Sequence, residues 1–266
     1  MQPRNLSPTV TKLLIANAIF SLVFNFLYIP ALQGVYSKLS LHLFNSPEFI
    51  PTQLVTYLFV HGDIGHFISN MLGLIVCGTL LETFWGEKKF IIFYLVTGIG
   101  AGIVFNLVRY YEYHDIFSMI DAFLKSPNPD SFDLVCRKYY TINSSFEFTG
   151  YVQNFYNQPT QLSAPVKVVH SMQDTLLSGS CVGASGAIFG LLFAIAYYFP
   201  NTEFSLMFIP INIKAKYMVF LLGLYEITSG VYKIPGDKVA HWGHLGGIIF
   251  AYILIHFWQK SRKSLY

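Results

Sequence analysis

The sequence predicts an all-α polytopic membrane protein, a single domain of six transmembrane helices with a long extramembrane loop between the third and fourth. Three observations predict it. Only 12% of the 266 residues are charged and 53% are hydrophobic, where a soluble domain carries about 25% charged residues. Several apolar runs approach the roughly 20 residues a helix needs to cross a bilayer. Those runs are continuous rather than alternating, which excludes a β-barrel, and in lipid only helices or closed barrels satisfy their own backbone. The net charge of +3 comes without a basic stripe and excludes nucleic acid as a partner. Cys77, Cys136 and Cys181 form no CxxC pair and no zinc spacing.

Taken in order, Ser7-Pro8 reads as a cap and first helical turn. The first span is Leu13–Ile29, stopped by Pro30. It is long for a signal-peptide core and no small-residue cleavage site follows it. Ala31–Gln53 mixes leucines with Lys38, His42 and Asn45 and reads as an interfacial loop, with Pro47 and Pro51 breaking any long helix. His66–Phe84 is the second span, and Trp85–Lys89 a tight antiparallel turn. The third span is Phe90–Tyr110. Tyr111–Ser180 is polar and aromatic and carries Pro127, Pro129, Pro159 and Pro165; it is expected outside the lipid, with one amphipathic helix over Tyr113–Lys125 and no assigned structure beyond it.

The fourth span runs from Gly183 to Phe199. Its apolar stretch Ala187–Phe199 makes about 20 Å of helix against roughly 30 Å of hydrocarbon. Its start is therefore expected below the membrane surface, in a wet pocket, because irregular backbone at that depth must be buried in protein or line a cavity. Asn201–Lys216 is a loop, Tyr217–Val231 the fifth span, Lys233–Lys238 a polar turn, and Ala240–Trp258 the sixth span with a basic tail. With six spans, Arg4, Lys12, Lys88, Lys89, Lys214, Lys216, Lys260, Arg262 and Lys263 share one side, against Lys38, Lys233 and Lys238 on the other. The bias places both termini in the cytoplasm. Segment 111–180 then lies on the non-cytoplasmic side.

Polar residues inside membrane helices are candidates for function. Here they are Ser185, His66, Asn70 and His244, with His61 and His241 nearby, and Ser185, His66 and His244 fall at the non-cytoplasmic ends of their helices. His66 and Asn70 share a face at i and i+4. Gly186 and Gly190 on the fourth helix and Gly243, Gly246 and Gly247 on the sixth allow close approach. If those faces meet, His244 reaches Ser185. A serine hydroxyl becomes a nucleophile when a histidine takes its proton. Acyl transfer also needs oxyanion donors, which the Ser185 N–H, the Asn70 amide and the His66 ring can supply. Each residue has a plainer alternative: packing for the serine and glycines, structural hydrogen bonds for Asn70 and the histidines.

Together these motifs resemble the rhomboid family of intramembrane serine proteases. Gly183-Ala184-Ser185-Gly186 is similar to the family's Gly-x-Ser-Gly motif, His61-x4-His66-x3-Asn70 to its second-helix pattern, and His244-Leu245-Gly246-Gly247 with Ala251 to its sixth-helix pattern. Glu82 with Trp85–Phe90 resembles its second-to-third helix turn. Segment Phe208–Tyr217 looks closest to rhomboids of Bacteroidetes-type bacteria. The resemblance covers the chain outside Tyr111–Ser180.

By this resemblance the fold is a rhomboid-like bundle and the activity that of an intramembrane serine endopeptidase acting on single-span membrane proteins, without metal or cofactor. Ser185 is the implied nucleophile and His244 its base, a dyad with no aspartate. His66 and Asn70 form the oxyanion hole, His61 supports the first loop, and His241 is an accessory or packing residue. Phe189 stands where many relatives have a tyrosine, keeping the ring that stacks on the catalytic histidine. A bacterial inner membrane is the implied location. The fifth helix and the Lys233–Lys238 turn are the implied gate and cap. Two alternatives stand beside this reading. One is an inactive rhomboid-like protein that escorts membrane clients; the other is a metal site built on the His61/His66 and His241/His244 pairs, against which no His-Glu-x-x-His is present. On the non-cytoplasmic side Cys136 and Cys181 either pair or stay free, and Asn143-Ser144-Ser145 has the pattern of a glycosylation sequon.

Overall fold

The computed structural model describes residues 6–27, 29, 32, 34–143, 146–205, 212–232 and 239–263. The expectations placed on Arg4, Pro30, the Lys233–Lys238 turn, Ser144-Ser145 of the sequon and the Phe208–Ile211 part of Phe208–Tyr217 lie outside the described residues. The chain is helical throughout its apolar runs. The first span is α1 (Pro8–Ser21) continued by a π turn over Leu22–Phe26. Ser7 sits at its N-cap without capping it; its hydroxyl donates instead to Glu82 Oε2 at 2.5 Å. The Thr9 and Val10 N–H groups donate to the same carboxylate at 2.8 and 2.9 Å. Glu82 thus satisfies the orphan donors of α1 and places a negative charge at its positive end.

The following loop contains α2 (Val35–Leu39), strand β1 (Leu41–His42) and α3 (Gln53–Thr56). Asn106 pins it to the third span, accepting from the Phe44 N–H at 2.8 Å and donating to the His42 carbonyl at 3.3 Å. The second span is one continuous rod: α4 (Ile64–Gly73), a π turn over Leu74–Gly78, and α5 (Thr79–Trp85). Asp63 caps α4 by accepting from the His66 N–H at 2.8 Å.

The third span does not stop at Tyr110. It is the first half of α6 (Glu87–Lys125), a 39-residue helix that carries the chain well beyond any bilayer. The segment expected to be a loop is helical. After α6 come α7 (Pro129–Ile142), α8 (Thr149–Asn157) and α9 (Ser163–Ser178). They close on the end of α6 around a core of Ile116, Ile120, Phe123, Phe132, Val135, Cys136, Tyr139, Phe155, Val169, Met172 and Leu176. Two of the prolines of this segment stand at helix starts. Pro129 opens α7 behind the Asn128 cap, which accepts from the Ser131 N–H at 2.9 Å, and Pro165 lies in the first turn of α9. At those positions the missing N–H is not needed by the helix. Cys136 is buried in this core and Cys181 lies elsewhere, in strand β2 (Ser180–Cys181); both are free, so the expected choice falls against a bridge. Burial pushes both thiols up to about 12.

Strand β2 pairs antiparallel with β1, Leu41 opposite Cys181, and delivers the chain to α10 (Ser185–Tyr198). A hairpin, β3 (Glu203–Ser205) with β4 (Asn212–Lys214), leads to α11 (Ala215–Tyr232), and α12 (His241–Lys263) ends the bundle. Helix α10 is sandwiched between α6 and α12, with Ala184, Ala187, Leu191, Ala194, Ala251 and Ile255 fully buried. Among the described residues two stretches, Ile64–Trp85 and Glu87–Lys125, are long and apolar enough to cross a membrane; Pro8–Phe24 and Ser185–Tyr198 are apolar but shorter. Large apolar side chains face outward, among them Ile15, Phe220, Leu221, Ile253 and Phe257, while Asn17, Asn70, Glu82, Asn106 and Glu226 are buried. That inverts the usual distribution.

The separate core of the inserted helices predicts separable stability. Phe132→Ala is expected to cost roughly 3–5 kcal/mol locally. Limited proteolysis should then cut between residues 126 and 180 first, whereas Leu134→Ala, at a position 57% exposed, should leave the digestion pattern unchanged.

Candidate active site

The site is assembled where the start of α10 meets α4 and α12. The backbone arrives along β2, and the Gly183 N–H donates to the Tyr57 carbonyl at 2.8 Å. Tyr57 is itself fixed on α6, its hydroxyl donating to the Gly98 carbonyl at 2.6 Å. Gly183 has φ +111°, a backbone region L side chains rarely adopt. A Cβ there would lie 2.5 Å from His66 Nε2 and Cε1 and 3.6 Å from Asn70 Nδ2. The turn therefore lays its bare backbone against the side chains of His66 and Asn70, and Ser185 follows as the first residue of α10.

Ser185 is half-buried and its Oγ lies 2.8 Å from His244 Nε2. The close approach that permits this is a backbone contact. A Cβ on Gly247 would sit 1.9 Å from the Gly186 carbonyl oxygen, and one on Gly186 would meet Ala101 of α6 at 2.3 Å. Gly186 thus serves both neighbours of α10. Gly190 does not face α12 as expected; its neighbour is Thr97 of α6. Phe189 lies over the His244 ring with centroids 4.2 Å apart and planes within 8°. His244 is held between that ring and α11.

His66 and Asn70 are joined within α4, the Asn70 amide donating to the His66 carbonyl at 3.0 Å. One amide hydrogen remains beyond that bond. His61 is buried, 3.0 Å through Nδ1 from the Ser21 hydroxyl of α1, and its ring meets His66 edge-on at 5.2 Å. It props the His66 ring rather than the first loop alone.

His241, expected as an accessory or packing residue, contacts a carboxylate of α11. Its Nδ1 lies 2.6 Å from Glu226 Oε2, and the other oxygen of that carboxylate, Oε1, lies 3.1 Å from His244 Nδ1. Glu226 is a buried carboxylate in the middle of α11, a residue that the motifs did not single out. The sequence carried a signal for it, one acidic residue in the fifth apolar run, where an ionisable group is a functional candidate. His61/His66 and His241/His244 form two separate clusters, and no group of three ligating side chains suited to a metal ion occurs among the described residues.

A helical bundle that buries a serine–histidine pair at a helix start, beside facing histidine and amide donors, defines a serine–histidine site inside an apolar bundle. A family model for the Rhomboid domain matches residues 50–120 and 148–260, and the chain belongs to the rhomboid family. Membership makes it a membrane protein. The unmatched residues between those spans fall on the end of α6, α7 and the connection to α8. The chain is also similar to RHOMBOID-like protein 12, mitochondrial, of Arabidopsis thaliana, 25% identical over 214 residues, covering 79% of this chain and 46% of that protein. It therefore spans about half the length of this relative. A mitochondrial relative gives no support to a bacterial inner membrane.

The Gly186–Gly247 contact predicts a sharp asymmetry between glycines. Gly247→Ala forces α12 off α10 and should cost about 1–3 kcal/mol by overpacking. Gly223→Ala, where a Cβ meets nothing within 4 Å, should leave the thermal unfolding midpoint in detergent unchanged or slightly raised.

Proposed function

We propose that the protein is an intramembrane serine endopeptidase that cleaves transmembrane segments of other, single-span membrane proteins. The observation that carries this reading is the 2.8 Å contact between Ser185 Oγ and His244 Nε2 at the start of a helix too short to cross a bilayer. In this reading the bundle crosses the membrane six times with both termini in the cytoplasm, and the helices of 111–180 lie on the opposite side, over the serine.

In the reaction, His244 Nε2 takes the Ser185 proton as Oγ bonds to the scissile carbonyl carbon, and the carbonyl electron pair moves to oxygen. That oxyanion is received by the Ser185 N–H, the free hydrogen of the Asn70 amide and the His66 ring. The oxyanion collapses, the C–N bond breaks, and His244 gives its proton to the departing amine. Water then attacks the acyl carbon, passing its proton to His244. The ester C–O bond breaks as Ser185 Oγ recovers that proton. Phe189 keeps the imidazole plane fixed through both transfers.

A fluorophosphonate probe tests this in detergent. Wild type and His241→Ala should label, while Ser185→Ala and His244→Ala should not, and chelator should change nothing. An unlabelled wild type, under conditions where an established serine hydrolase labels, would favour the inactive, client-escorting rhomboid-like protein instead.

A further inference from the structure

We propose that Glu226 is a positioning residue of the site, whose carboxylate orients His244 from α11 and makes the pair a Ser–His–Glu triad. This rests on the serine–histidine reading above and deepens it. Glu226 is 3% exposed on a helix that turns Phe220, Leu221, Leu224, Tyr225 and Ile227 outward. A carboxylate buried in such a helix is costly unless it is paired. Its two oxygens are divided between two histidines one turn apart on α12. Oε2 takes His241 Nδ1 at 2.6 Å, and Oε1 stands 3.1 Å from His244 Nδ1. Ser185 lies on the opposite nitrogen of the same ring. The chain of atoms is therefore serine oxygen, Nε2, Nδ1, carboxylate, the order that an acid–base triad needs.

The contacts differ in quality, and the difference is informative. The His241 bond is short. The His244 Nδ1 contact is at ion-pair distance but off the line of a hydrogen bond. His241 thus fixes the carboxylate, and His244 is the ring left with room to turn into it. Contacts of this kind are commonly misaligned without substrate and tighten in the reacting complex. As His244 accepts the Ser185 proton, the carboxylate offsets the charge that appears on the ring and holds the tautomer that keeps Nε2 ready for the serine. Phe189 holds the plane of the ring, and Glu226 holds its rotation within that plane.

The test is the kinetics of fluorophosphonate labelling on the full chain in detergent, measured over a range of probe concentrations, with thermal unfolding recorded alongside. Glu226→Gln keeps the shape and removes the charge. The limiting labelling rate should fall about 10²-fold, at the lower end of what removing a triad carboxylate costs. The half-saturating concentration should stay where it is in wild type. Glu226→Asp should recover at least part of the lost rate, because the charge returns. Labelling of Glu226→Gln at the wild-type rate overturns the triad and leaves the serine–histidine reading standing. An equal loss in Glu226→Asp and Glu226→Gln, tracking a lowered unfolding midpoint, also overturns it, since the carboxylate would then only hold α11 to α12. A wild type that does not label overturns both readings at once.

Discussion

The whole arrangement depends on how closely two backbones approach. Gly247 of α12 rests on the Gly186 carbonyl of α10, at a distance no side chain permits, and Gly186 in turn faces Ala101 of α6. In lipid there is no hydrophobic gain from bringing two apolar helices together, so association rests on dispersion between well-packed surfaces. Small residues maximise that contact by letting the backbones meet. Ser185 directly precedes Gly186 and His244 lies one turn before Gly247, so the geometry of the polar pair is inherited from the glycine contact. The serine is placed by backbone packing rather than by bonds of its own.

A second layer of constraints steadies the elements that surround α10. Buried polar groups must find partners, and here they join segments distant in sequence. Glu82 caps α1, Asn106 ties the first loop to α6, and Tyr57 links Gly183 to Gly98. Ser21 reaches His61, whose ring in turn abuts His66. Each junction joins separate segments rather than closing within one helix. The apolar exterior supplies no competing water, so these few bonds decide which helix faces which neighbour.

Much of this was legible in the sequence because its signals are local. Continuous apolar runs mark helices, and His66 with Asn70 share a face by spacing alone. What was lost depended on contacts between distant segments. The apolar positions Phe132, Val135, Cys136 and Tyr139 have a helical period, but the run is short and its partners lie on other helices of the insert. Gly190 looked equivalent to Gly186, and only the rotation of α10 decides that one faces α12 and the other Thr97 of α6. Glu226 has no motif partner because its histidine contacts lie on another helix; His241 is fifteen positions further along the chain. Cys136 and Cys181 were expected on one side of the membrane, yet one thiol faces the core of the inserted helices.

The separation of Glu226 from the rest of the site has a mechanical consequence. Ser185 and His244 sit on helices locked together by the Gly186–Gly247 contact, and neither can shift without unpacking α6 as well. The carboxylate rides instead on α11, an edge helix with one face against α10 and α12 and the other turned outward. Near its end, Gly230 lies against the Trp242 and His241 side chains, so α11 is registered to α12 close to the His241 anchor. A displacement of α11 away from α12 would leave serine and histidine in contact while removing the charge that orients the ring. Pairing and orientation of the base are therefore set by different helices. The first is fixed by glycine packing in the centre of the bundle, and the second by a single buried ion-pair cluster at its edge.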